Sequence, residues 1–335
     1  MRIDVHAHYW AQKYIDALIA AGRRDLAFAG QRDDLASRLA EMDRVGVDVQ
    51  LFSAIGLNTE VEDPDAAAVA CRVINDLYVD IADEYEGRFR GFASVPLPHV
   101  AEAIAETDRA LDELDLVGIA LPCVIGGKGL DEYPEYWEYL GSRGRQVVVY
   151  VHPVGADSNC HPGLAQFGLN MLLGSTMQIA MAPLRVALSG ITQRYANIQF
   201  IFALCGGTLP YLWQRYERNL RRGIEMSAVA AVGKGMFAWM DDLPFDEDEP
   251  MELFRQNVHF DTSVQDIPAA LRLAKETIGV DRLMLGSDAI FASLTEAVQT
   301  IQNDPDLTTD DKHRILDVNA QALLGLPTSG RRATH

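Results

Sequence analysis

Eight short runs of apolar and β-branched residues recur along the chain, separated by stretches whose apolar positions return every three to four residues. The runs are Arg2–Val5, Val47–Ser53, Arg90–Leu97, Val117–Cys123, Val147–His152, Ile198–Leu204, Val258–Thr262 and Leu283–Gly286. In Val147-Val148-Val149-Tyr150-Val151 every position is apolar, the pattern of a strand covered on both faces in a parallel sheet. Strand and helix alternate throughout, and no Pro/Gly/Ser-rich linker divides the chain. The expectation is one α/β domain over residues 1–335, a (β/α)8 TIM barrel.

Local signals support the helices. Asp63-Pro64 reads as an N-cap followed by proline at the first helical position, with Val69, Val73, Leu77 and Ile81 as the apolar stripe and Gly87 as its end. Thr308 and Asp311 form an acidic capping box ahead of Ile315, Ala322 and Leu323. Residues 156–177 and 223–250 exceed ordinary loop length, carry helical pieces and are candidate lids. The acidic run Asp241–Glu249 in the second reads as a solvated face, because like carboxylates repel unless a cation holds them.

With 29 Lys+Arg against 48 Asp+Glu, the 335 residues carry a net charge of −19. Such a chain does not suit a nucleic-acid phosphate backbone or an anionic membrane surface. No stretch approaches the ~20 uncharged apolar residues of a spanning helix, and Met1-Arg2-Ile3-Asp4 lacks a signal peptide's apolar region, so a cytoplasmic location is expected. Cys71, Cys123, Cys160 and Cys205 show no CxxC spacing, as reduced thiols do not.

The chemistry concentrates at strand ends. In His6-Ala7-His8 the two imidazoles, at i and i+2, point to one side of the first strand. His152 ends the fifth strand and Asp288 ends the eighth, which adjoins the first in a closed barrel. His6, His8, His152 and Asp288 therefore make a candidate site for one divalent cation. Zinc fits best, and manganese, iron and cobalt remain open. Taken singly, His152 suits a satisfied core histidine and Asp288 a helix cap. Trp10, Tyr9 and Phe291 flank the ligand segments and either line a substrate pocket or belong to the core. His259 inside the seventh strand reads as structural, and His99 at a strand-to-helix turn as a cap or surface residue; His313 and His335 receive no role.

His6-x-His8, His152-Pro153, Gly206-Gly207-Thr208-Leu209-Pro210-Tyr211 with Arg215, Gly286-Ser287-Asp288 and Asn319-Ala320 together resemble the amidohydrolase superfamily, from Ile3 to Leu326. The branch resembled contains aminocarboxymuconate semialdehyde decarboxylase and the γ-resorcylate-type decarboxylases. The resemblance implies a TIM barrel holding one catalytic metal on the four residues named above. Two-metal members bridge their ions through a carboxylated lysine ending strand four; here that strand ends Leu121-Pro122-Cys123, which speaks against a second ion. Arg215 matches an arginine that reaches a neighbouring protomer's site to meet a substrate carboxylate, implying a homodimer. A plain helix-surface ion pair with Glu217 or a nearby acid is the alternative.

One position departs from the family pattern. Two residues before the Gly-Gly pair, where the family carries an acid/base histidine, stands Leu204. His161, in the long loop after strand five, is a substitute proton donor; Cys205 on a strand would point the other way. Alternatively the cation acts as Lewis acid and template, and an apolar substrate packs on Leu204; or the chain is a variant with impaired turnover. The favoured function is a metal-dependent, non-oxidative decarboxylase of an unsaturated or aromatic carboxylic acid, with Asp288 doubling as a catalytic carboxylate. A metal-dependent hydrolase of an ester, lactone or amide, an iron-dependent oxygenase and a metal-stabilised binding protein are the alternatives.

Overall fold

The computed structural model describes residues 1–24, 26, 34–154, 162–228, 251–264 and 267–326. The apolar runs become eight parallel strands: β1 (Ile3–His8), β2 (Val49–Ser53), β3 (Phe89–Gly91), β4 (Ile119–Pro122), β5 (Val147–His152), β6 (Ile198–Phe202), β7 (Val258–Asp261) and β8 (Leu283–Met284). Hydrogen bonding orders them β1-β2-β3 and β4-β5-β6-β7-β8. Two seams join these groups. At the first, Ala93 bridges Ile119 and the Ala93 carbonyl accepts from the Ala120 amide at 2.9 Å. At the second, Ala7 bridges Ala289, and the Val5 amide donates to Leu285 at 2.9 Å. With both seams made, the sheet closes as a TIM barrel.

Several strands stop short of their apolar runs. β3 ends at Gly91 rather than Leu97, although Ala93 still bridges Ile119 beyond it. β6 ends at Phe202, two residues before Leu204, because the chain turns there into a left-handed backbone. After β4 comes a short antiparallel hairpin, Val124–Ile125 with Lys128–Gly129.

The helix Pro64–Glu84 starts as its signals indicate, with the Asp63 carboxylate accepting from the Ala66 amide at 2.9 Å. Its buried face, however, is Ala67, Ala70, Cys71, Ile74, Tyr78 and Ile81, and Val69 points outward at 53% exposure. A strict four-residue stripe drifts around a 3.6-residue helix, so the small Ala and Cys side chains nearest the sheet take the inner face instead. Helix termination falls at Tyr85, before Gly87. The Thr308/Asp311 capping box forms, but Ala322 is exposed and Leu316 and Ala320 fill the interior beside Ile315.

The loop expected over 156–177 does carry helix: a 3-10 turn at Pro162–Ala165, a π turn at Asn170–Gly174 and the helix Ser175–Leu188. Continuous helix over Asn170–Leu188 is, by length and composition, long and apolar enough to cross a bilayer, although the sequence reading expected no such stretch; Ile179, Ala180, Val186 and Ala187 are buried in this fold. Helix Leu209–Ala228 occupies the start of 223–250. Residues 229–250, with the Asp241–Glu249 run, and Cys160 lie outside the described residues. Cys71, Cys123 and Cys205 are buried free thiols.

His259 sits on β7, its Nε2 3.4 Å from the Gln199 amide oxygen. Burial, with Arg282 adding to it against the opposing charge of Asp281, lowers its pKa to about 4. On unfolding the imidazole returns to its ordinary 6.5 and takes up a proton that the folded form refuses. Stability from this group is therefore complete above pH ~6.5 and falls as pH drops toward ~4, by on the order of 3 kcal/mol. Urea unfolding of the parent and His259→Gln at pH 7 and pH 4.5 checks it: the parent should lose more stability than the variant, and equal losses refute the assignment.

Candidate metal centre

β1 alternates Ile3, Val5 and Ala7 on one face with Asp4, His6 and His8 on the other, and all six are buried. The amides of Ser287 and Asp288 both donate to the His6 carbonyl, at 3.3 and 2.9 Å, which draws the end of β8 onto β1. Asp288 has φ 59°, a left-handed conformation that turns the chain immediately beyond this contact. Its carboxylate Oδ1 stands 3.3 Å from His6 Nε2 and 3.2 Å from His8 Nε2, and the two Nε2 atoms are 3.1 Å apart. The His152 ring lies edge-on to both imidazoles with centroids 4.8 Å away. One ligand atom from each of His6, His8, His152 and Asp288 falls within 4.8 Å of the others. A tetrahedral cation with nitrogen and oxygen donors at ~2.1 Å holds them roughly 3.4 Å apart, so the donor set fits one ion.

The outward nitrogens support this. His6 Nδ1 faces Asp261 Oδ2 and the Ser263 hydroxyl, each at 2.9 Å. His152 Nδ1 faces the Pro153 carbonyl at 2.7 Å, and His8 Nδ1 the Ser53 hydroxyl at 3.4 Å. With Nδ1 engaged away from the centre in each ring, Nε2 is left for the common point.

Electrostatics sort the four groups. Burial lowers His8, and it drives His152 well below the usual imidazole value, helped by the neighbouring His6 and His8 charges. For Asp288 burial acts upward but is overcome by His6 and His8, which hold the carboxyl well below its ordinary range. Burial would depress His6 as well; the Asp261 and Asp288 charges outweigh it and raise His6 to about 10. Two imidazoles are thus neutral and the carboxylate ionised, the forms in which these groups coordinate.

Around this centre the other expected residues divide. Trp10 and Phe291 are close, with ring centroids 6.2 and 5.3 Å from His8 and 6.3 Å from each other. Leu204 does not end a strand as expected. It opens a 3-10 turn with φ 56°, half-buried, and its amide donates to Asp261 Oδ1 at 3.0 Å. Cys205 lies in the same turn at φ 49° rather than on a strand; its thiol is buried and burial pushes its pKa up, which leaves it unreactive. Arg215 is exposed on helix Leu209–Ala228, and the ion pair weighed for it with Glu217 is not made: Glu217 pairs with Arg221 at 3.2 Å. His161 lies outside the described residues. His99 precedes the helix Val100–Asp108 without capping it, its Nε2 2.9 Å from the Val61 carbonyl.

The sequence reading missed a ring of supporting groups. Asp4, fully buried, accepts from the Ser287 amide (2.9 Å) and hydroxyl (2.6 Å), from Gln50 (2.7 Å) and from the His6 amide (3.2 Å). Asp261 and Tyr150, also fully buried, stand behind His6. A signal existed: Asp261 is an acid inside a strand run, and Asp4 shares the period-two face of His6 and His8.

Comparison with known proteins agrees with this architecture. The model of the amidohydrolase family matches residues 3–326, and the chain belongs to that family. It is 27% identical over 307 residues to 2-amino-3-carboxymuconate-6-semialdehyde decarboxylase of Dictyostelium discoideum, covering 86% of this chain and 76% of that protein. It is 25% identical over 310 residues to gamma-resorcylate decarboxylase of Polaromonas sp. strain JS666, covering 86% of each. Among solved structures, 5-carboxyvanillate decarboxylase from Sphingomonas paucimobilis superposes with TM-score 0.81 at 22% identity, covering 97% of this chain and 99% of that one. The dihydroxybenzoic acid decarboxylase of Polaromonas sp. JS666, solved with manganese and 2-nitroresorcinol, superposes with TM-score 0.78 at 22% identity, covering 97% and 96%.

Two substitutions test the geometry. His8→Ala is expected to leave the purified protein with less than about a tenth of a metal equivalent by elemental analysis while its circular dichroism is unchanged; one retained equivalent refutes the cage. At Gly286 an added Cβ meets Asp261 Cβ at 2.7 Å and His6 Cβ at 3.0 Å. Gly286→Ala should therefore weaken metal binding about tenfold by displacing His6, read by competition with a chelator.

Proposed function

We propose that this chain is a metal-dependent, non-oxidative carboxy-lyase acting on an aromatic or unsaturated carboxylic acid, with one divalent cation held by His6, His8, His152 and Asp288. The observation that carries the reading is the convergence of these four donors at the C-terminal mouth of the barrel. The decarboxylases among its relatives support the reaction class. Three imidazoles and a carboxylate favour zinc by ligand chemistry, while manganese stands in the solved dihydroxybenzoic acid decarboxylase. When bound, the cation supplies Lewis acidity and a fixed point for the substrate's carboxylate and a neighbouring oxygen.

The chain's own groups do the rest. Trp10, Phe291 and Leu204 provide an apolar wall against which a planar ring packs, holding its carboxylate out of the conjugated plane. In the reaction the bond between ring and carboxylate carbon breaks, its electron pair stays on the ring carbon, carbon dioxide leaves, and one proton is added to that carbon. His161 is the proposed donor of this proton, and the ionised Asp288 the carboxylate beside which it is delivered. Arg215, exposed on its helix, is proposed to pair with the substrate's carboxylate across a homodimer. The composition suits an enzyme of the cytoplasm.

The test is isotopic. Carboxyl-labelled hydroxybenzoates and unsaturated dicarboxylic acids are offered to metal-reconstituted protein; labelled carbon dioxide should appear, stop on chelation and return with the metal. In His161→Ala turnover should fall by roughly 100-fold with metal content intact. Oxygen uptake with ferrous iron, or tight binding without turnover in any metal, overturns the lyase reading.

A further inference from the structure

Asp261, at the end of β7, is fully buried behind His6 and takes no part in the four-residue cage. Its oxygens are committed to different neighbours. Oδ1 accepts from the Leu204 amide at 3.0 Å, the Ser263 amide at 3.0 Å and the Ser263 hydroxyl at 2.5 Å. Oδ2 accepts from the Tyr150 hydroxyl at 3.2 Å and faces His6 Nδ1 at 2.9 Å. An ionised carboxylate only accepts, and the Ser263 hydroxyl has already given its single hydrogen to Asp261, so it too presents lone pairs to His6. Both groups facing Nδ1 are acceptors. The hydrogen of a neutral His6 is therefore held at Nδ1, and the Nε2 lone pair is turned toward His8 and Asp288.

We infer that Asp261 is a positioning residue that sets the tautomer of His6 for metal coordination, an inference that rests on the cage reading above. The same hydrogen bonds dictate what an isosteric change does. In Asp261→Asn the three donors at Oδ1 require the amide oxygen in that place, which puts the amide NH2 where Oδ2 stood. That NH2 donates to His6 Nδ1, and the imidazole hydrogen moves to Nε2, into the space the cation needs. A substitution that preserves size and removes one charge thus reverses the ring's polarity toward the centre.

The experiment uses the full chain and zinc. Chelator competition should show zinc bound tenfold to a hundredfold more weakly by Asp261→Asn than by the parent. On the zinc-loaded parent, nitrogen-15 NMR of the histidines should show His6 protonated at Nδ1 and metal-shifted at Nε2, a readout independent of how the variant folds. Zinc affinity equal in both proteins, or His6 bound through Nδ1, overturns the inference and leaves the cage intact. Absence of zinc binding by the parent itself instead overturns the cage, and this inference falls with it.

Discussion

Closure of β8 onto β1 is the constraint on which the site depends. Asp4 is buried at that seam, where an unpaired carboxylate costs far more than a single hydrogen bond returns. Burial duly raises its pKa, against the hydrogen bonds of Ser287, Gln50 and the His6 amide. Those four bonds tie β1 to β2 through Gln50 and to the segment beyond β8 through Ser287. Once Ser287 is held, Asp288 has little freedom: its amide is on the His6 carbonyl and its carboxylate meets two imidazoles. Residues separated by most of the chain are thereby brought to one point by the barrel's own seam.

The centre also shows how burial and charge divide labour. Removing water from His8 and His152 keeps them neutral, whereas Asp288 stays ionised because imidazoles surround it. His6, between two carboxylates, carries the charge that balances them. A divalent charge placed among these groups would replace that balance rather than add to an uncompensated cluster.

The turn after β6 is held by its backbone rather than by the Leu204 side chain. Leu204, Cys205, Gly206 and Gly207 have φ of 56°, 49°, 74° and 58°, an unusual succession of left-handed residues. Such backbone costs about 1–2 kcal/mol for each non-glycine residue and persists only when its surroundings demand it. Here the demand is structural. The Leu204 amide is spent on Asp261, and at Gly207 a Cβ would stand 2.2 Å from the Thr176 carbonyl. The turn's backbone therefore supports the centre whatever side chain Leu204 carries.

Much of this was legible in the linear chain. Consecutive apolar residues in Val147–Val151 announce a strand covered on both faces, and a period of two places His6 and His8 on one side, because these patterns follow from local backbone geometry alone. Strand ends and helix faces were less legible: Leu204 and Val69 obey local patterns that packing overrides. Asp261 is not legible in the sequence because an acid on a strand has no meaning until the group opposite it is known, and that group is His6, on a strand far earlier in the chain. The sequence by itself determined the barrel and the types of donor at its strand ends. Only the folded barrel decided which nitrogen of each ring faces the centre and which carboxylate holds it there, because hydrogen bonds between distant strands exist only after the sheet has closed.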